Sequence, residues 1–223
     1  MGEEEWRVHN VGAPTLDRMG AHGSAPRDKV CGEVGLDPKR KYLLVTYHPV
    51  TLERDEVRSQ IDNLLEALEG FDLQVVFTFP NADVGSSDIV GAIGRYCAKH
   101  AQGTKMVQNA GNRFYLDLMQ QAEVMVGNSS SGIVEAGSFA LPVVNVGTRQ
   151  AGAMRPKNVI DVGYGVEEIK AGISRSLSRE FKNEVANMAN PYGDGMAGQR
   201  IVEVLRTVEI GDRLLRKKFN DLR

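Results

Sequence analysis

Residues 124–137, VMVGNSSSGIVEAG, place an asparagine and three serines between a short β-branched run and a helix-like stretch carrying Glu135. Where a strand leads directly into a helix, the first turn exposes unpaired backbone N–H groups at the positive end of the helix dipole, which favours phosphate binding. The hydroxyls of Ser129, Ser130 and Ser131 would add donors there. Asn and Ser are also preferred N-caps, so the motif alone fits a plain cap equally well. One cap suffices for one helix, however, and four candidates in a row favour the phosphate site.

Four residues fit a nucleotide site around this motif. Glu135, about one helical turn beyond the serines, can accept two hydrogen bonds from a vicinal diol such as a ribose. Arg149, just after the next strand-like run, carries a guanidinium suited to a diphosphate. His48 follows the first strand-like run, and Tyr115 could stack on a base. Each also has a structural alternative, such as a histidine satisfied by the backbone or an exposed loop cation, so the argument depends on their shared placement.

Strand-like and helix-like segments alternate along the chain. Short apolar runs typical of buried strands cover residues 41–47, 73–79, 104–109, 123–127, 141–146 and 158–162. Helical periodicity covers residues 57–68, 86–100 and 114–122, and it continues from about residue 166 to the end, interrupted by NPYGDG. This alternation, with strands apolar on both faces, predicts an α/β fold in which a Rossmann-like parallel sheet has helices on both faces.

The predicted sheet locates the candidate site independently of any motif. In an open parallel sheet, ligands bind at the carboxyl ends of the strands. The loops at that edge would be HPVTLERD, PNADVGSS, NAGNR, NSSSG and GTRQAGAMRPKN. His48, the serines and Arg149 all belong to these loops, so we expect them to lie at one edge of the sheet.

Composition excludes several classes of protein. The 27 basic and 29 acidic residues are nearly balanced, which gives no support for nucleic-acid binding. Two cysteines outside any C-x-x-C spacing indicate neither a disulfide framework nor a structural zinc site. The phosphate-binding pattern G-x-x-x-x-G-K-[ST] does not occur. The apolar runs are strand-sized and the N-terminus is acidic and polar, so we expect a cytoplasmic protein without a membrane partner, metal or cofactor.

Several blocks of the sequence, taken in order, resemble one family. They are TYHPVT (46–51), FPNAD (79–83), GNSSSGIVEAGSF (127–139), PVVNVGTRQ (142–150), NVIDV (158–162) and NPYGDG (190–195). Together they look like the C-terminal half of the UDP-N-acetylglucosamine 2-epimerases, and TYHPVT with NSSSG and GTRQ is closest to the hydrolysing branch of sialic-acid synthesis. The resemblance runs from about Val11 through the final helices. It implies one half of a glycosyltransferase-B type fold, in which the substrate lies between two Rossmann-like domains.

The resemblance also implies a role for each candidate residue. Ser129 and Ser130 would hold the diphosphate of UDP or a UDP-N-acetylhexosamine, and Ser131 would complete the turn. Glu135 would bind the ribose. His48, as a catalytic residue, and Arg149 would face the diphosphate. Tyr115 would lie near the uracil.

Composition and the resemblance together predict a domain division. Residues 1–35, rich in Gly, Ala and Pro, are expected to be a linker or edge segment, and residues 36–223 to form the UDP-binding domain with its C-terminal helices. The family's N-terminal domain, which carries the carboxylates for acid and base catalysis at sugar carbon 2, is expected to be absent. That domain is therefore an expected partner, and a homo-oligomer is left open.

Three alternatives to a hydrolysing epimerase half remain at this point. They are the matching half of a non-hydrolysing 2-epimerase, the nucleotide-binding half of a glycosyltransferase of the same architecture, and a nucleotide-binding domain without chemistry. As half of a hydrolysing epimerase, the chain would bind UDP and stabilise it as a leaving group. It would be inactive alone, because the proton-transfer groups belong to the other domain.

Overall fold

The computed structural model describes residues 2–20 and 23–221, which contain a six-stranded parallel sheet. Along the chain the strands are β1 (Tyr42–Thr46), β2 (Gln74–Thr78), β3 (Thr104–Val107), β4 (Val124–Gly127), β5 (Val143–Val146) and β6 (Val159–Val162). Their order across the sheet is β3-β2-β1-β4-β5-β6, and every neighbouring pair is parallel. The order changes direction between β1 and β4, as in a doubly wound Rossmann-like sheet, so the predicted fold class is confirmed.

Burial across the sheet explains why its strands were readable as apolar runs. Strands β1, β2, β4 and β5 are buried at every position. The two edge strands, β3 and β6, are only partly buried. A parallel sheet covered on both faces buries both sets of alternating side chains, so its central strands need apolar residues throughout.

Helices between the strands cover both faces of the sheet. Along residues 2–20 and 23–221 the α-helices are α1 (Asp17–Gly20), α2 (Arg27–Val34), α3 (Val57–Leu68), α4 (Ser86–Lys99), α5 (Gly111–Gln121), α6 (Ser130–Val134), α7 (Val166–Leu177), α8 (Arg179–Val185), α9 (Ala197–Thr207) and α10 (Asp212–Leu215). Helices α3, α4 and α7 pack together on one face. On the other face, the Tyr42 hydroxyl donates to the Leu118 carbonyl of α5 at 2.7 Å.

Helix α3 shows how the sequence period becomes packing. Val57, Ile61 and Leu64 recur every three to four residues and are buried against the core strands. Each such side chain stabilises the fold by roughly 1.5–3 kcal/mol through removal of its apolar surface from water. The predicted helix over 57–68 is thus confirmed with the bounds Val57–Leu68.

Part of the segment expected to be a linker or edge is helical. Helix α2 follows Pro26 and ends at Gly35, which adopts a left-handed φ of 74°. Only Val30 and Cys31 of this helix are buried. Two buried residues leave too weak a periodic signal for sequence interpretation, which is why the helix was not predicted.

The chain groups into two compact units, one formed by residues 1–21 with 192–223 and the other by residues 22–191. The six strands belong to the second unit. Within the first, the Asp17 carboxylate accepts hydrogen bonds from the N–H groups of Ala197 and Gly198 at 2.9 and 2.5 Å. The Ala13 N–H donates to the Tyr192 carbonyl at 2.7 Å. Residues from the two ends of the chain therefore form one unit.

Candidate functional site

A cavity of about 400 Å³ lies at the carboxyl edge of the sheet, where all five predicted loops contribute to its lining. The residues singled out from the sequence all line it: His48, Tyr115, Ser129, Ser130, Ser131, Glu135 and Arg149. They come from segments that follow β1, β3, β4 and β5. Parallel strands end at a common edge, so residues far apart in sequence are brought to one place.

The turn between β4 and α6 contains the serine motif. Ser129 is the N-cap of α6, and its Oγ accepts a hydrogen bond from the Ser131 N–H at 3.4 Å. The cap interpretation is thus correct for Ser129. Ser130, next to it, is exposed at the cavity. Helix α6 has only five residues, so its dipole is small and the hydroxyls and N–H groups of the turn are what it offers an anion.

Gly127 permits this turn to lie close to β1. Its φ of +134° is rarely adopted by residues with a side chain, and a Cβ at this position would lie 2.0 Å from the Thr46 carbonyl oxygen. The Asn128 N–H donates to that same oxygen at 3.1 Å. The close approach of the two strand ends brings the serine turn next to the loop of His48.

Tyr115 reaches the serine turn from helix α5. Its hydroxyl lies 2.8 Å from Ser131 Oγ, which in turn lies 2.7 Å from Ser129 Oγ. Burial raises the pKa of the Tyr115 phenol, so it stays protonated at neutral pH. The phenol group is therefore engaged with the serine hydroxyls of the cavity.

Glu135 lies where α6 gives way to a 3-10 helix, Ala136–Phe139, and its half-buried side chain lines the cavity. It is thus one short turn beyond the serines, as the spacing in the sequence predicted. Of the seven candidate residues that line the cavity, Glu135 is the one acidic residue and Arg149 is the one that carries the opposite charge.

His48 is a buried, neutral side chain of the cavity. Its Nδ1 accepts a hydrogen bond from the Asn81 N–H at 3.0 Å, which leaves the proton of the neutral ring on Nε2. Burial and, second, the Arg149 charge lower the pKa of His48 to about 4. The imidazole is therefore a neutral hydrogen-bond donor through Nε2 over the physiological pH range.

Asn128 links these loops, a role that sequence interpretation missed. Its side-chain amide accepts from the His48 N–H at 2.7 Å and donates to the His48 carbonyl at 2.8 Å. Its own carbonyl accepts from Arg149 Nη1 at 3.1 Å and from Gln150 Nε2 at 2.9 Å. The only available signal was its place at the head of NSSSG, where it was counted among the cap candidates.

A second set of contacts ties the outer loops together around Glu53, in the 3-10 helix Thr51–Glu56 after β1. Its carboxylate accepts hydrogen bonds from the hydroxyls of Thr148 and Tyr164, and from Gln60 Nε2 at 2.8 Å. Partial burial opposes ionisation, but these donors outweigh it and keep the pKa of Glu53 below its ordinary value. Because Thr148 precedes Arg149, the carboxylate positions the arginine loop.

Residues 2–20 and 23–221 contain no group of three or more His, Cys, Asp or Glu side chains placed to hold a metal ion. None of the helices in the same ranges is both long and apolar enough to cross a membrane.

Comparison with known proteins places the chain among the epimerases. The family model described as UDP-N-acetylglucosamine 2-epimerase matches residues 1–206. UDP-N,N'-diacetylbacillosamine 2-epimerase (hydrolyzing) of Legionella pneumophila is 35% identical over 97% of this chain and 56% of its own length. GDP/UDP-N,N'-diacetylbacillosamine 2-epimerase (hydrolyzing) of Campylobacter jejuni is 35% identical over 100% of this chain and 58% of its own length. The chain thus spans little more than half the length of these relatives.

A solved structure shares the fold. The S. aureus MnaA–UDP co-structure superimposes with a TM-score of 0.73 over 99% of this chain and 58% of that one, at 16% identity. At that identity the match supports the fold alone. The family match, by contrast, extends over nearly the whole sequence and includes the serine turn and the other loops of the cavity. The chain belongs to the UDP-N-acetylglucosamine 2-epimerase family.

Proposed function

We propose that the chain is the UDP-binding half of a hydrolysing 2-epimerase, which converts UDP-N-acetylglucosamine to N-acetylmannosamine and UDP. The observation that carries the proposal is the convergence of all seven candidate residues on one cavity at the carboxyl edge of the sheet. The hydrolysing branch is supported by the names of the two relatives that are 35% identical to the chain. Both relatives are named for a diacetamido sugar. The choice of N-acetylglucosamine as the sugar is therefore itself part of what we propose.

The cavity suits the leaving group of this reaction. When the bond between sugar carbon 1 and the diphosphate oxygen breaks, its electron pair stays on the oxygen. The negative charge on UDP therefore increases. In the proposed arrangement the Arg149 guanidinium, the hydroxyls of Ser129 and Ser130, and the neutral Nε2–H of His48 donate to that diphosphate. Glu135 accepts hydrogen bonds from the ribose hydroxyls.

His48 acts in this proposal as a donor and not as a base. A pKa of about 4 leaves the ring neutral, and Nδ1 already accepts a hydrogen bond from Asn81. Removal of the proton at sugar carbon 2 therefore falls to carboxylates in the part of the relatives that this chain does not span. We expect the isolated chain to bind UDP without turning over the sugar nucleotide.

Calorimetric titration with UDP and UDP-N-acetylglucosamine tests the binding site. Glu135→Ala and Arg149→Ala should each weaken UDP binding by about tenfold or more, since each removes a hydrogen bond to or from a charged group. Glu66→Ala and Arg58→Ala, exposed positions on α3, are the matched controls and should leave binding unchanged. Wild-type protein that shows no heat of binding at millimolar UDP would refute the assignment. Affinity should be modest, because the chain spans little more than half the length of its relatives and would supply one wall of the proposed cleft.

The branch is tested on a protein that contains both halves. A hydrolysing enzyme releases free N-acetylmannosamine together with UDP. Accumulation of the 2-epimeric UDP-sugar would assign the protein to the non-hydrolysing branch, and transfer of the sugar to an acceptor would assign it to the glycosyltransferases. Binding of UDP without any turnover by the two-domain protein would favour a non-catalytic nucleotide-binding role.

A further inference from the structure

We infer that Tyr115 is a positioning residue whose hydroxyl joins two pairs of hydroxyl groups into one hydrogen-bonded series. Each hydroxyl in this series donates to the next, toward an anion bound at Ser129. The inference rests on the proposed function, because the anion it concerns is the diphosphate of UDP. Its basis is a continuous set of oxygen contacts that runs from two strand ends to the serine turn. The set links Thr78, Thr46, Tyr115, Ser131 and Ser129.

The contacts follow one another without a gap. Thr78 Oγ1 lies 2.6 Å from Thr46 Oγ1, which lies 3.3 Å from the Tyr115 hydroxyl. That hydroxyl lies 2.8 Å from Ser131 Oγ, and Ser131 Oγ lies 2.7 Å from Ser129 Oγ. Both threonines are nearly inaccessible to solvent. All five side chains line the same cavity, and Tyr115 alone connects the threonine pair to the serine pair.

The direction of donation is set by the two ends of the hydroxyl series, Thr78 and Ser129. Each hydroxyl has one proton, so a group that accepts from one neighbour donates to the next. At the inner end, Thr46 Oγ1 is the hydrogen-bond partner of Thr78 Oγ1 within the part of the chain that the structure describes. Donation from Thr78 outward therefore leaves no buried proton without an acceptor.

The outer end is consistent with the same direction. Ser129 Oγ accepts from the Ser131 N–H at 3.4 Å, which uses one of its two acceptor lone pairs. If Ser131 Oγ also donates to Ser129, both lone pairs are used and the Ser129 proton is directed away from these groups. An anion in the cavity is the acceptor that such a proton needs, and each hydrogen bond in the series polarises the next.

The phenol group does more in this arrangement than supply an aromatic surface. Replacing its oxygen by hydrogen would separate the threonines from the serines and remove the group that donates to Ser131. Ser131 and Ser129 would then be free to pair with each other in either direction, and the preorganised donor would be lost. The loss should affect ligands according to whether they carry phosphate.

The test compares Tyr115→Phe with wild type in titrations with UDP and with uridine, observed by NMR. Tyr42→Phe is the matched control, since Tyr42 is a buried tyrosine whose hydroxyl donates to the Leu118 carbonyl. We expect Tyr115→Phe to weaken UDP binding by about tenfold, in line with the loss of a hydrogen bond that supports a charged contact, and to leave uridine binding unchanged. Tyr42→Phe should change neither ligand.

Thr46→Val removes a second hydroxyl of the same series, since valine has a shape similar to that of threonine but no hydroxyl. It should weaken UDP binding less than Tyr115→Phe does, again without an effect on uridine. Equal weakening of UDP and uridine by Tyr115→Phe would overturn the inference in favour of a contact with the base. Unchanged UDP binding in Tyr115→Phe would overturn it while leaving the proposed function intact. Absence of UDP binding by wild-type protein would instead refute the proposed function and this inference with it.

Discussion

At the scale of single residues, the chemistry of the cavity depends on charge states that burial controls. His48 combines a nearly inaccessible ring with a backbone donor on Nδ1, and its pKa falls to about 4. A solvent-exposed histidine at the same sequence position would titrate near neutral pH and change its charge in the cell. Burial therefore converts a pH-sensitive group into a constant donor beside Arg149.

The low pKa of His48 predicts a stability change with pH. An unfolded histidine takes up a proton below about pH 6.5, whereas the folded ring resists protonation until about pH 4. The contribution of His48 to the free energy of unfolding is thus complete above pH 6.5 and falls as the pH drops, by about 3 kcal/mol at pH 4. Urea unfolding of wild type and His48→Asn from pH 7 to 4 measures it.

Wild type should lose about 3 kcal/mol more stability than His48→Asn over this range. Asn is chosen because its side-chain oxygen can replace Nδ1 as the acceptor for the Asn81 N–H. His9→Asn, at an exposed position, is the control and should follow the wild-type curve. Parallel curves for wild type and His48→Asn would contradict the assigned pKa.

At the scale of elements, the cavity depends on how strand ends and loops approach one another. The β4–α6 turn lies against β1 because Gly127 has no side chain and adopts a positive φ. The Glu53 carboxylate ties the loop after β1 to the segments after β5 and β6, because it accepts from Thr148 and Tyr164 as well as from Gln60. The contacts of Gly127 with Thr46 and of Glu53 with Thr148 and Tyr164 join segments far apart in the chain, so each can be weakened by one substitution.

Gly127→Ala should destabilise the protein by about 3 kcal/mol or more. The new Cβ would meet the Thr46 carbonyl oxygen at 2.0 Å, and the positive φ adds strain of its own. Urea unfolding gives the change directly. Gly94→Ala, where an added Cβ meets nothing within 4 Å, is the control. It lies inside α4 and should stabilise by about 0.5–1 kcal/mol. Equal effects of the two substitutions would show that the close approach is not present.

Glu53→Gln should destabilise the protein by about 1–2 kcal/mol at neutral pH, since a neutral amide cannot replace a carboxylate that accepts from three donors. The folded pKa of Glu53 is depressed, so this contribution is complete above the ordinary value of 4.5 and is lost as the pH falls through the folded pKa. The difference between wild type and variant should therefore shrink on acidification.

Unfolding in urea at pH 7 and at acidic pH provides the measurement for Glu53→Gln. Glu56→Gln, an exposed position in the same 3-10 helix, is the control and should change stability little at either pH. A difference between wild type and Glu53→Gln that grows as the pH falls would contradict the role assigned to the carboxylate.

At the scale of the whole molecule, the two ends of the chain form a unit separate from the one that contains the sheet. Within that unit, Asp17 caps helix α9 from a distant part of the sequence. Carboxylates are favoured at such positions because they accept from the unpaired N–H groups of a first helical turn.

Asp17→Ala should speed amide hydrogen exchange in α9 by roughly fivefold, corresponding to about 1 kcal/mol for a lost N-cap. Exchange in the β1 amides, which belong to the other unit, should stay as in wild type. Hydrogen exchange followed by mass spectrometry separates the two regions. Asp62→Ala, whose side chain makes an exposed ion pair with Arg58, is the control because such pairs contribute little. Faster exchange in β1 as well would show that the cap supports more than its own unit.

The sequence predicted most of the fold, because the signals for strands and helices are local. The apolar run of β1 and the period of α3 each lie within about a dozen residues, and both elements form where expected. Helix α2 was not predicted, since its burial involves only Val30 and Cys31. The association of the chain ends was not predicted either, because no periodic pattern records which distant segments meet.

By itself the sequence determined the class of fold, the edge of the sheet at which the candidate residues meet, and the family. These follow from residue types and short spacings, which are properties of the chain alone. Only the tertiary structure decided the neutral state of His48, the linking role of Asn128 and the engagement of Tyr115 with the serine hydroxyls. Those features depend on burial and on hydrogen bonds such as that between His48 and Asn128, 80 residues apart, which exist only after the strands have aligned.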